Sequence, residues 1–130
     1  MKFLLDTHLL LWSALESAKL PAKAGAFIHD PEVDLVFSVI SIWEVVVKNS
    51  LGRSSFQVNP HRLRSSLLEN GYTELPVSGE HALAVASLPN LHKDPFDRML
   101  IGQAIVEGMT LLTSDEIVAS YPGPIVGCFS

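Results

Sequence analysis

Short β-prone runs alternate with segments of helical periodicity along the whole chain, and that alternation restricts the fold more than any other feature of the sequence. Residues 2–6 form an apolar run closed by a carboxylate and read as a first strand. Residues 7–16 carry Leu10, Leu11, Ala14 and Leu15 at helical spacing. Pro21 opens a shorter helix over 22–29, which leaves through Asp30-Pro31-Glu32. Residues 34–38 (DLVFS) predict a second strand, and 40–51 a helix stopped by Gly52 in a left-handed cap. Asn59-Pro60 starts the next helix, as cap and first-turn proline, and Asn70-Gly71 ends it. A strand over 72–76 and a helix over 78–88 follow, with Glu80 or His81 in the first turn of that helix. Asp94-Pro95 begins a helix running to Glu107-Gly108; residues 109–113 are a strand, 115–120 a helical turn and 124–128 a last strand. Strands separated by helices require a parallel sheet covered on both faces. The expected fold is therefore α/β with three layers, a central mostly parallel sheet and helices on each side, in a single domain over 1–130.

At 48% hydrophobic, 130 residues suffice for one core. The only cysteine, Cys128, excludes an internal disulfide and a cysteine-rich zinc site, and suits a reducing cytoplasm. Lys2 and the leucines after it superficially resemble a signal peptide. Asp6 and His8 interrupt the run, however, and no small-x-small cleavage site follows. No apolar run reaches the roughly 18 residues of a membrane span. The chain reads as soluble and cytoplasmic, with no membrane partner.

A net charge of −5 argues at first against a nucleic-acid partner. The positions of the acids change that. Asp6 ends the first strand, Glu44 lies one turn into the helix after the second, Asp97 is in the first turn of a later helix, and Asp115 follows the fourth strand. The C-terminal ends of parallel strands share one edge of the sheet, so these four converge there. An all-oxygen anionic cluster suits hard divalent ions such as Mg²⁺ or Mn²⁺. Without the four, ten acids face nine bases, close to neutral.

Each acid also has a local explanation. Asp6 and Asp115 can cap the helices after them, Asp94 fits an N-cap before Pro95, and Asp97 then falls at N3, where a carboxylate completes a capping box. Glu44 lies among Ile40, Ile42, Trp43, Val45, Val46 and Val47, in a helix that reads as buried nearly all round. Its charge needs a partner there, and Lys48 one turn on offers an ordinary ion pair in place of a metal.

At these residues the chain resembles the VapC-type toxins of the PIN-domain family. FLLDTHLLLW resembles that family's first strand with its aspartate, and FSVISIWEVVVKNSLGR its Ser-x-x-Ser-x-x-Glu helix. HKDPFDRMLIGQA resembles the segment with the third acid, and LLTSDE the strand-end Thr-x-Asp with the fourth. The motifs occur in order over essentially the whole chain. The resemblance implies a PIN fold and a metal-dependent endoribonuclease, the toxin of a type II toxin–antitoxin pair. It implies Asp6, Glu44, Asp97 and Asp115 as catalytic and metal-binding residues for Mg²⁺ or Mn²⁺. RNA is then the substrate, a cognate antitoxin and a second copy of the chain the partners. Leu9–Trp12 and the Trp43 helix are the expected contact surfaces.

In the expected mechanism Asp6 and Asp97 hold the ion directly, and Glu44 and Asp115 complete the cluster or orient water. Thr7, Ser38, Ser41 and Thr113 either orient the acids or cap helices. Lys48, Arg53 and Arg98 are candidates for RNA phosphates or for ordinary surface pairing. The five histidines form no recognisable zinc pattern; His92-Lys93-Asp94 is a possible ligand pair, but His92 reads better as a loop residue. A haloacid-dehalogenase-like phosphatase would need an acid at His8, and a receiver domain an early acidic pair. A catalytically silent PIN-like binding module is the remaining alternative.

Overall fold

A computed structural model describes residues 1–53 and 56–129. The elements follow the predicted order: β1 (Lys2–Leu5), α1 (Thr7–Ala14), α2 (Ala22–Ile28), β2 (Asp34–Ser38), α3 (Val39–Ser50) and α4 (Pro60–Glu69). They continue with β3 (Thr73–Leu75), α5 (Gly79–Val85), α6 (Pro95–Glu107), β4 (Thr110–Thr113), α7 (Glu116–Ala119) and β5 (Ile125–Gly127). The five strands form one sheet in the order β3-β2-β1-β4-β5, and every pairing is parallel. From the central β1 the chain winds outward to β2 and β3, then crosses to β4 and β5 on the other side. The reversal falls between β1 and β4, where an open parallel sheet leaves a crevice at its C-terminal edge.

Strand alternation divides the core into two layers. Phe3, Leu5, Phe37 and Leu112 point to the face covered by α1, α2 and α4. Leu4, Val36 and Leu111 point to the other face, packed by residues of α6 and α7. Each fully buried leucine contributes about 2 kcal/mol, so the pattern strongly fixes register.

Two expectations about helix surfaces are corrected. Leu9, Leu10 and Leu11 are at most 2% exposed and Trp12 packs against the same core, so Leu9–Trp12 is not a contact surface. α1 lies against the sheet with apolar neighbours on several sides, which its leucine-rich sequence allows. α3 is not buried all round: Ser41, Glu44 and Val45 face inward, whereas Val39, Trp43 and Val46 form an exposed stripe. Trp43 is 55% exposed and belongs to no core.

α1 also stops two residues short of its predicted end at residue 16. Ser17 N–H reaches Trp12 O and Glu16 N–H reaches Ser13 O, closing a Schellman turn with Glu16 at φ 50°. No helix among the described residues is long and apolar enough to cross a membrane.

Candidate metal centre

Three of the acids are set by helix starts at the C-terminal edge of the sheet. Asp6 follows β1 and caps α1, its Oδ1 accepting from Leu9 N–H at 2.8 Å. Its Oδ2 accepts from the Thr113 hydroxyl at 2.7 Å and from Ser114 N–H at 2.8 Å, which ties β1 to the end of β4. Burial pushes this carboxyl above its ordinary range, against the pull of those hydrogen bonds. Asp115 caps α7 through Oδ1, which accepts from Ile117 and Val118 N–H. Asp94 caps α6 in the same way, accepting from Phe96 and Asp97 N–H. The capping readings of Asp6, Asp94 and Asp115 are therefore met, and in Asp115 capping does not compete with ligation, because Oδ1 caps while Oδ2 lies 3.5 Å from His92 Nε2.

Asp97 behaves differently. It occupies N3 of α6, but no capping box forms: among the described residues its carboxylate accepts no hydrogen bond. Burial, then the charges of Asp94, Glu44, Asp6 and Asp115, push its carboxyl up to about 8. That the other three expected acids all act on Asp97 means the fold brings the four together, with Asp94 beside them. A mostly buried carboxylate with negative neighbours and no donor is costly when ionised. A cation is the partner that would relieve it.

Glu44 has partners inside the chain. Its Oε1 accepts from the Thr7 hydroxyl at 2.5 Å, and that hydroxyl also bonds Ser41 Oγ at 2.9 Å. Its Oε2 pairs with Lys48 Nζ at 2.5 Å, so the helical ion pair is formed. The Lys48 ammonium is 3.4 Å from Asp94 and stacks over Phe56 and Phe96. Burial alone would lower the Lys48 pKa, but Glu44 and Asp94 outweigh it and raise it. Ser38 serves as the cap of α3, accepting from Ile40 N–H.

Of the two readings of Arg98, pairing within the chain is formed. Its guanidinium donates to Pro89 O, Val85 O and the Tyr121 hydroxyl, fastening the loop before α6. Arg53 is exposed.

His92 lies in the loop before α6, as the sequence suggested, but beside the acids. Its backbone N–H donates to the Tyr121 hydroxyl at 2.8 Å, which fixes the loop. Its Nε2 lies 3.0 Å from Asp97 Oδ2 and 3.5 Å from Asp115 Oδ2, yet among the described residues this buried nitrogen makes no hydrogen bond. The three donor atoms lie within 4.8 Å of one another. An unbonded buried nitrogen facing two carboxylate oxygens is a donor set that fits a divalent cation. The signal in the sequence was a histidine five residues before Asp97, in the loop that the cap of α6 must close. A cavity of about 580 Å³ bordered by Ser13, Leu20, Leu67 and Tyr72 lies apart from these acids.

A model of the PIN domain matches residues 3–124. No curated protein sequence is significantly similar to the chain. Among solved structures, VapBC2 from Rickettsia felis bound to a DNA fragment from its promoter is 14% identical, with 98% of each chain covered and a TM-score of 0.68. A toxin–antitoxin complex from Klebsiella pneumoniae is 22% identical over 98% of each chain, with a TM-score of 0.64. VapBC-1 from nontypeable Haemophilus influenzae is 20% identical over 88% of this chain and 87% of that one, at 0.58. At these identities the likeness is one of fold.

Proposed function

The chain belongs to the PIN-domain family, and on that premise we propose that it is a metal-dependent endoribonuclease, the toxin of a type II toxin–antitoxin pair. The observation that carries this reading is Asp97: mostly buried, accepting no hydrogen bond among the described residues, and raised to about 8 by burial and the surrounding acids. Such a carboxylate is poorly suited to stabilising a fold and well suited to holding a cation.

Asp6, Asp97 and Asp115 would hold the ion, with Glu44 completing the cluster. Mg²⁺ or Mn²⁺ bound there would supply an activated water and neutralise charge on a scissile phosphate. Thr113 and Ser114 N–H keep Asp6 in place, and Thr7 does the same for Glu44. Lys48, beside Glu44 and Asp94, puts a positive charge at the rim for an RNA phosphate. Attack by water on phosphorus expels the 3′-oxygen, so the downstream fragment keeps a 5′-phosphate.

The VapBC complexes of like fold support an antitoxin partner and a cytoplasmic site of action. The exposed Val39, Trp43 and Val46 stripe supports an interface, with a second copy or with the antitoxin. One observation favours the silent-module alternative: Lys48 already pairs with Glu44, leaving that acid without need of a metal. The two readings separate on RNA cleavage by purified protein. Cleavage should stop in chelator, return with Mg²⁺ or Mn²⁺, and leave 5′ ends that ligate without kinase. Cleavage that persists in chelator and leaves 2′,3′-cyclic phosphates would refute the metal-dependent reading, and absence of cleavage and of metal binding would favour the silent module.

A further inference from the structure

The acid cluster includes one donor that is not a carboxylate. We propose that His92 Nε2 is a direct ligand of the cation at Asp97 and Asp115, and that this nitrogen biases the site toward Mn²⁺ over Mg²⁺. The inference rests on the metal-dependent reading above and adds to it a ligand and a preference among ions.

Spacing is the first argument. Two ligands each about 2.1 Å from one ion lie roughly 3.0 Å apart at a right angle and about 3.4 Å apart at a tetrahedral angle. Nε2 lies 3.0 Å from Asp97 Oδ2 and 3.5 Å from Asp115 Oδ2. Direction is the second. A protonated imidazole this close to two carboxylates would send its N–H to one of them. Neither contact has hydrogen-bond geometry, and among the described residues Nε2 is left buried without a partner. Preorganisation is the third: the backbone of His92 is tied to Tyr121, and Asp115 is held by its cap, so both donors are placed by bonds unrelated to any ion. Donor chemistry then sets the preference, because Mg²⁺ favours oxygen and imidazole favours the later first-row ions.

The test uses the full chain, stripped with chelator and titrated calorimetrically with MnCl₂ and with MgCl₂. Mn²⁺-loaded protein is also examined by electron spin-echo modulation, which detects ¹⁴N bound to the ion. Wild type should bind Mn²⁺ at least about tenfold more tightly than Mg²⁺ and show the nitrogen signal. His92→Phe should lose the signal and about 10- to 100-fold in Mn²⁺ affinity, with Mg²⁺ affinity changed less than about threefold. His8→Phe should keep the signal. His92→Gln, which offers no aromatic nitrogen, replaces the phenylalanine variant if circular dichroism shows that variant unfolded. A signal that survives removal of His92, or an unchanged Mn²⁺/Mg²⁺ ratio, overturns the ligand assignment and leaves the carboxylate reading standing. Failure of wild type to bind either ion overturns both.

Discussion

Two histidines face acids of α6 from opposite ends of that helix, and their surroundings differ. At the C-terminal end His81 is 2% exposed and its ring is engaged on both nitrogens. Nδ1 accepts from Ser78 N–H at 2.9 Å in a capping box, and Nε2 meets Glu107 at 2.8 Å. Gln103 closes the cluster, with only its Oε1 lacking a partner. At the N-terminal end His92 has comparable neighbours, Asp97 and Asp115, at hydrogen-bonding distance but without hydrogen-bond geometry. A buried polar group that has satisfied its valences serves the fold. One that has its partners in reach and leaves them unbonded is positioned for something else.

The largest expected effect tests the open end. Asp97→Asn keeps the size of the side chain but removes the charge, so RNA cleavage should fall by about 100- to 1,000-fold or more. The circular dichroism spectrum should be unchanged, and growth arrest on overexpression should be relieved. Full activity in a folded Asp97→Asn protein would dissolve the distinction between the two ends.

The next effect tests the closed end. His81→Ala strands Ser78 N–H and leaves a hole between α5 and α6. It should cost about 2 kcal/mol of stability, a fall in melting temperature of roughly 6–10 °C. Calorimetric Mn²⁺ affinity should not change, and a loss of metal binding without a loss of stability would reverse the assignments.

The smallest effect is a slope. Burial and its acidic neighbours hold Asp97 to about 8, so below that pH the folded chain retains a proton that the unfolded chain has already released. The folded state therefore binds more protons between the ordinary value near 3.8 and about 8, and stability is lost as pH rises through that window. In chelator, urea midpoints of wild type should decline from about pH 5 to about pH 8 more steeply than those of Asp97→Asn. Equal slopes would mean that Asp97 is ionised like any surface acid.

The strand–helix alternation made the architecture readable because each strand's two faces bury different sets of residues, and the caps Asp6, Asn59, Ser78, Asp94 and Asp115 mark helix starts directly. The gathering of Asp6, Glu44, Asp97 and Asp115 was legible for a related reason: parallel topology sends every strand end to one edge. Burial of individual helix faces was not. α1 and α3 are both rich in apolar residues, and only the neighbours supplied by α2, α4 and α6 decide that Leu9 is covered and Trp43 is not. The surroundings of His92 and Arg98 were not legible, because a loop has no periodicity to orient its side chains and the partners of both come from distant segments. Their roles depend on Tyr121, which is 29 residues beyond His92.

That tyrosine hydroxyl receives the His92 N–H at 2.8 Å and an Arg98 N–H at 3.1 Å, and it also lies 3.4 Å from His92 O. A single oxygen thus pins the loop before α6, the first turn of α6 and the segment leaving α7. Drift in the last third of the chain would therefore register as a change in the spacing of the His92 nitrogen from two carboxylates. The hydroxyl works as a set screw: it touches none of the reacting groups, and the tolerance of the site is adjusted there.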